Sequence, residues 1–205
     1  MHGKRESVNH YFAEHPRSKP KTRVVEAILR GKPFKFITAS GVFSKKRIDL
    51  GTRVLIDSML LPDEGLVLDL GCGYGAVGIV AAALNPKLRV IMVDVNERAV
   101  QLAKRNIQLN NIRNVEVRKG NLYEPVKGFA FDTILSNPPV SAGMENVKAI
   151  IAEAPKHMAN KANLQMVVRS KICGKRLRAF FEESFGNVRV LAIKSGYRVL
   201  IVEKH

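Results

Sequence analysis

The chain has 205 residues, enough for one domain with a sizeable core. Its 34 Lys and Arg against 18 Asp and Glu leave a net charge of +16, a balance suited either to a polyanionic partner such as nucleic acid or to a solvated surface. Cys72 and Cys173 stand far apart with neither disulfide nor zinc-ligand spacing, and no apolar run is long enough to cross a bilayer. The expectation is therefore a cytoplasmic protein with no metal and no membrane span.

Residues 1–50 read as a basic N-terminal extension and residues 51–205 as the main domain. The first 60 residues hold 13 basic and 5 acidic side chains, half of the net excess in under a third of the chain. Pro16 and Pro20 mark an irregular arm. Val24 to Leu29 has the apolar spacing of a short helix stopped by Gly31 and Pro33. Phe34 to Thr38 alternates like a strand, and Ala39-Ser40-Gly41 turns it into Val42-Phe43-Ser44, a small hairpin.

From Gly51 onward the pattern is regular. Thr52 to Leu61 reads as a helix ended by Pro62, Leu66 to Leu70 as a strand, and Gly75 to Leu84 as a helix. Leu88 to Val93 reads as a second strand and Asn96 to Asn110 as a helix with Asn96 at its N-cap. Val115 to Val117 and Phe131 to Leu135 are further strands, and Val147 to Met158 is a helix that Pro155 can kink. Leu164 to Val168 is a strand and Lys175 to Phe185 a helix; Val188 to Ile193 and Tyr197 to Val202 close the chain around Ser195-Gly196. Alternating strands and helices imply an α/β fold with a parallel sheet, while a two-residue turn forces its flanking strands antiparallel. The fold class is thus a Rossmann-like, seven-stranded, mostly parallel sheet with an antiparallel strand at or near one edge, helices on both faces, and an N-terminal hairpin extension.

Two strand ends carry the chemistry. Asp69-Leu70-Gly71-Cys72-Gly73-Tyr74-Gly75-Ala76 lies between the first strand and its helix, where glycines let the backbone turn sharply and a ligand approach closely. The helix N-terminus that follows is expected to offer free N–H groups. Gly71-x-Gly73-x-x-Ala76 also fits the dinucleotide-binding fingerprint, so this turn alone does not separate nicotinamide from other nucleoside cofactors. Asp94 ends the second strand 23 residues after Gly71, where a carboxylate can accept from both ribose hydroxyls or cap the next helix. Gly120-Asn121-Leu122 lies at the third strand's end, placed to meet an adenine edge.

The second strand end is Ser136-Asn137-Pro138-Pro139. Two prolines fix φ and remove two N–H donors, which leaves the Asn137 side-chain oxygen and the Pro138 carbonyl as acceptors. An acceptor pair is what an incoming NH₂ group needs. Positioning then supplies the catalysis, without a base of shifted pKa.

These segments resemble class I S-adenosylmethionine-dependent methyltransferases: Val67 to Gly75 is similar to their cofactor signature, and Ser136 to Pro139 to the signature of those that methylate amino nitrogens. His10-Tyr11-Phe12, Gly41-Val42-Phe43-Ser44, Asp49-Leu50-Gly51-Thr52 and the ending around Gly196-Tyr197-Arg198 resemble the small-subunit ribosomal RNA guanine-N2 methyltransferase C family, in a compact archaeal form. The resemblance implies S-adenosylmethionine as cofactor, held by Asp69, Leu70, Gly71, Cys72, Gly73, Gly75, Asp94, Val95, Asn121, Leu122 and Asn137. It implies Asn137, Pro138 and Pro139 as the catalytic corner, and guanine N2 of ribosomal RNA as the acceptor. RNA contacts are expected from Phe43, Lys45, Lys46, Arg47 and Val140. Phe43 is either a ring on which a flipped base stacks or a core residue of the hairpin. Val140 departs from the aromatic residue that often follows Asn-Pro-Pro, which counts against adenine N6 and glutamine N5. Those acceptors, and a non-catalytic RNA-binding module, are the alternatives; monomer and homodimer are both open.

Overall fold

In a computed structural model of the chain, the structure describes residues 22–42, 47–138, 144–171 and 175–205. Strands β1 (Thr22–Leu29) and β2 (Lys32–Ala39) form an antiparallel hairpin. The expected helix over Val24 to Leu29 is therefore a strand. Arg30 (φ 49°) and Gly31 (φ 78°) make a two-residue turn with both central residues left-handed, the turn whose twist matches antiparallel strands. The expected pairing of Phe34–Thr38 with Val42–Ser44 gives way to pairing with β1; Phe43 and Ser44 lie outside the described residues.

The main sheet has seven strands in the order β5-β4-β3-β6-β7-β9-β8. They are β3 (Gly65–Leu70), β4 (Leu88–Asp94), β5 (Val115–Lys119), β6 (Phe131–Ser136), β7 (Met158–Arg169), β8 (Arg189–Lys194) and β9 (Tyr197–Glu203). Strand β9 runs antiparallel to both neighbours, inserted one place from the edge, and Ser195 and Gly196 repeat the left-handed two-residue turn. The helices are α1 (Leu50–Ser58), α2 (Ala76–Leu84), α3 (Glu97–Leu109), α4 (Met144–Glu153) and α5 (Lys175–Phe185). Pro155 ends α4 in a short 3₁₀ turn over Ala154–His157. His157, on that turn, stacks on the ring of Tyr123 at 4.5 Å. Among the described residues, no helix is long and apolar enough to cross a membrane.

Strand parity divides the core. Val67, Val90, Met92 and Leu135 join α1, α2, α3 and the hairpin on one face, while Leu68, Leu70, Ile91 and Ile134 meet residues of α4 and α5 on the other. Asp69 shares the parity of Val67, so its carboxyl is delivered beneath α2. The hairpin is part of this core: Leu29, Phe34 and Phe36 are buried in it. Polar clamps hold it there. Arg30 Nη1 donates to the carbonyls of Ile56, Asp57 and Met59 at the end of α1, and Lys32 Nζ donates to Ala83 O near the end of α2, where helix carbonyls lack partners. On α3, Asn106 and Asn110 pair with the backbone of Ile37 and Lys35 through N–H and C=O alike, so two side-chain amides serve β2 as a third strand would.

Order reverses at β3: the chain runs outward through β4 and β5, then returns to the other side of β3 as β6. Open α/β sheets bind ligands in the crevice at such a reversal. Ser136 Oγ donates to Leu70 O at 2.9 Å, fastening the ends of β6 and β3 together at that point.

Candidate active site

A cavity of about 300 Å³ opens at the C-terminal ends of β3, β4, β5 and β6, a volume suited to a small molecule. Asp69, Leu70, Gly71, Cys72, Gly73, Asp94, Val95, Asn121, Leu122 and Asn137 all line it. Gly75 does not: its left-handed backbone (φ 93°) packs the turn against Ile79, Met92 and Ala103, so it shapes the turn from behind. Gly71 (φ 76°) and Gly73 (φ 58°) are left-handed too, and a Cβ at either would meet nothing within 4 Å. That open space is where a ligand can approach the backbone.

Donors at this turn are already engaged. The N–H groups of Gly71 and Cys72 donate to Val93 O, and that of Gly73 donates to Asp94 Oδ2 at 2.8 Å. In the first turn of α2, Gly78 N donates to Asp69 Oδ2 at 2.8 Å. The expectation of free N–H groups is corrected at these positions, because the protein's own Asp69 occupies the place of an anion at the helix start. A pyrophosphate needs those donors. Among the described residues, the lining contains two carboxylates and no Lys or Arg. The cavity thus favours a cationic ligand over a dinucleotide.

Burial governs the titration of this wall. It raises Asp69 from 3.8 to about 7, against the lowering bond from Gly78 and with the nearby Asp94 charge adding to the rise. Asp94 is raised by burial while the N–H groups of Asn96, Gly73 and Val95 oppose the shift. Burial and both carboxylates push the Cys72 thiol well up, which leaves it a packing group rather than a nucleophile. Asp94 Oδ2 accepts from Gly73 N and Oδ1 from Asn96 N, and lone-pair capacity remains on the carboxylate to face a hydroxyl. The cap of α3 is Asn96, whose side chain accepts from Arg98 N and Ala99 N, so Asp94 is released from that duty. Asn96 Nδ2 also donates to Gly41 O, and Arg98 to Ser40 O, binding the stretch before residue 43 to the cavity rim; Val42 lines that rim.

Asn137 follows β6 and is partly buried, with Pro138 buried beside it. Its Nδ2 donates to Thr52 Oγ1 at 2.9 Å and to Asp49 Oδ2 at 3.2 Å. Both amide hydrogens are thereby used, and Oδ1 is the polar atom that remains for another molecule. Thr52 and Asp49, at the start of α1, belong to the Asp49-Leu50-Gly51-Thr52 stretch of the resemblance, to which the sequence assigned no site role. Their Asp-x-x-Thr spacing is that of a helix cap, in which Asp49 Oδ2 accepts from Thr52 N. Tyr74, Asn146 and Ile150 also line the cavity without having been foreseen. Pro139, Phe43, Lys45, Lys46 and Val140 lie outside the described residues, while Arg47 is exposed and does not line the cavity.

Known proteins agree with this geometry. The model of the methyltransferase small domain matches residues 33–201. YbxB, an uncharacterised protein of Bacillus subtilis, is 39% identical, covering 95% of this chain and 98% of its own length. Ribosomal RNA small subunit methyltransferase C of Aeromonas hydrophila is 33% identical over 78% of this chain, which spans 46% of that protein. In fold, the chain is similar to a T. thermophilus 16S rRNA N2 methyltransferase solved with AdoMet and guanosine, at TM-score 0.82 and 24% identity, covering 93% of this chain and 52% of the other. The sheet, the cavity and these matches agree: the chain belongs to the methyltransferase small-domain family, whose methyl donor is S-adenosylmethionine.

Proposed function

We propose that this chain methylates an exocyclic amino nitrogen, and that the acceptor is guanine N2 of small-subunit ribosomal RNA. One observation carries the reading: Asn137 lines the cofactor cavity with its amide nitrogen committed inside the protein, so that an acceptor oxygen is what it has left for a substrate. When bound, S-adenosylmethionine supplies an electrophilic methyl on a cationic sulfur. The residues present suit it, since Asp69 and Asp94 give the cavity a negative wall and the turn at Gly71 and Gly73 leaves room for close approach.

The chain's own groups then have separate tasks. Asp94 accepts from ribose hydroxyls. Asn121 and Leu122 border the base of the cofactor, and Leu122 holds a left-handed backbone (φ 46°) that a non-glycine residue adopts at a cost. Asn137 Oδ1 and the Pro138 carbonyl accept the two hydrogens of an NH₂ group, which draws its lone pair out of conjugation and aims it toward the cavity. A newly methylated amino nitrogen sheds its extra proton readily, so no side chain of shifted pKa is required. The guanine assignment draws on the relatives named ribosomal RNA small subunit methyltransferase C and on the net charge of +16, which suits a phosphate backbone.

The test is transfer of tritiated methyl from S-adenosylmethionine to RNA and protein fractions, followed by mass spectrometry of the digested RNA. N2-methylguanosine is the expected product. Label confined to protein, or found as N6-methyladenosine, would refute the acceptor. Asn137→Ala should abolish turnover while S-adenosylhomocysteine still binds; joint loss of both would contradict the role given to Asn137.

A further inference from the structure

We infer that Asp49 and Thr52 are positioning residues: together they hold the Asn137 carboxamide in one of its two flip states, so that the site takes a hydrogen-bond donor and rejects an acceptor. The inference rests on the amino-transfer reading for its kinetic consequence, though not for its structural content.

A carboxamide is nearly symmetric in shape, and rotation by half a turn exchanges its oxygen and NH₂. Unbraced, Asn137 could offer either to a substrate. Here the nitrogen side faces Asp49 Oδ2 at 3.2 Å and Thr52 Oγ1 at 2.9 Å. A carboxylate only accepts, so the flipped state would set oxygen against oxygen at Asp49. The hydroxyl alone would tolerate either state, since it both donates and accepts. Asp49 therefore chooses the orientation, and Thr52 completes the pair of acceptors for the two N–H groups.

The brace is itself fixed. Asp49 is the N-cap of α1, and the same Oδ2 accepts from Thr52 N at 3.1 Å, so carboxylate and helix start form one unit. Between them, Gly51 makes room: a Cβ there would stand 3.0 Å from Asp49 Oδ2 and 2.9 Å from Tyr197 Cε1. The far end of α1 is held by Arg30 of the hairpin and by Gln165 of β7, which pairs with both backbone groups of Leu60. Asp49, Gly51 and Thr52 thus reach across 85 to 88 residues of sequence to set the polarity of the catalytic corner.

Asp49→Asn and Thr52→Val test this with little change of shape. Asn is as good an N-cap as Asp, and Val has the outline of Thr without its acceptor. The first readout needs no activity: the Asn137 side-chain NH₂, followed by ¹⁵N NMR and assigned by its loss in Asn137→Ala. In the parent protein its protons should exchange slowly with water, and both variants should shift the resonance and accelerate exchange. Unchanged exchange in both variants overturns the inference.

The second readout is turnover at saturating cofactor. Thr52→Val should lower kcat about tenfold with the S-adenosylhomocysteine Kd unchanged within about twofold, as expected for a misaimed group rather than a damaged pocket. Thr52→Ser, which restores the hydroxyl, should recover most of the loss. Equal loss in Thr52→Val and Thr52→Ser would overturn the positioning role. A parent that methylates neither RNA nor protein, yet shows the NMR changes, would refute the amino-transfer reading and leave the brace in place.

Discussion

Asp69→Asn should make the cofactor-free protein more stable at pH 8 and leave it about equally stable at pH 5, while weakening its hold on S-adenosylmethionine. Each tenfold change in an acid constant corresponds to about 1.4 kcal/mol. Raising Asp69 from 3.8 to about 7 therefore makes its ionised form on the order of 4 kcal/mol less favourable in the folded chain than in the unfolded one. Because the folded value lies above the unfolded one, the protein is not penalised below pH 3.8, loses stability as pH rises from there, and bears the whole cost above pH 7. An Asn keeps an oxygen for Gly78 N but brings an NH₂ into a buried place, costing roughly 1–3 kcal/mol. The difference is a gain of about 2 kcal/mol at pH 8, or a melting point higher by about 4–8 °C for a chain of this size. At pH 5 about 1.6 kcal/mol of the penalty already applies, which roughly offsets the amide's cost, and only below pH 3.8 does that cost stand alone. Melting curves of the two proteins at pH 5 and pH 8, without ligand, measure this directly. A melting-point difference independent of pH would refute the reasoning, because it would show that the Asp69 carboxyl does not titrate between those values in the folded chain.

Affinity for S-adenosylmethionine should rise about threefold to tenfold between pH 6 and pH 8 as Asp69 ionises, with a smaller change for S-adenosylhomocysteine, which lacks the sulfonium charge; calorimetry giving parallel profiles for both ligands would contradict this. Asp94→Ala should weaken binding of either ligand about tenfold to a hundredfold, since it removes the ribose acceptor and frees the N–H groups of Gly73 and Asn96. Asn106→Ala should cost about 3 kcal/mol, on the order of 5–10 °C in melting point, because both backbone groups of Ile37 and the Tyr74 carbonyl lose a buried partner. Amide exchange should then rise first in β2, and protection unchanged there would show that the asparagines do not fasten the hairpin.

The sheet was legible because its strands are short apolar runs such as Val67-Leu68 and Val90 to Val93, punctuated by glycine and proline at the right intervals. The Ser195-Gly196 turn announced the antiparallel pair it makes. The same turn chemistry at Arg30-Gly31 was masked by what precedes it. Val24 and Ile28 are largely exposed (61% and 70%), so apolar residues stand on both faces of β1 and their spacing mimics a helix. The cavity wall was legible wherever it is built from strand ends, as at Asp69, Gly71, Gly73 and Asp94. What the sequence hid was pairing over distance. Nothing local to Asp49 points to Asn137, 88 residues on, and nothing local to Asn106 points to Ile37, 69 residues back. Helix-cap residues and amides on a helix have ordinary local uses, and only the closed fold shows that they serve a second element as well.

The cavity also reconciles two electrostatic demands. A net charge of +16 suits the phosphate backbone of the proposed RNA substrate, yet the same field repels a cationic methyl donor. The cavity reverses the sign locally. Asp69 and Asp94 stand within it, with no Lys or Arg among the described lining residues; burial raises both carboxyls, and once ionised they are screened by salt much less than exposed charges. Asp69 has to be tied down for this to work, because a buried carboxylate without donors would simply stay protonated. The bond from Gly78 N at the start of α2 opposes that rise, using the donor with which related folds bind a phosphate. One replacement of ligand anion by protein anion thus turns a phosphate-binding turn into a cation-binding one. It also leaves methyl transfer with a built-in exit, since the product that has given up its sulfonium charge is held less firmly by the same two carboxylates.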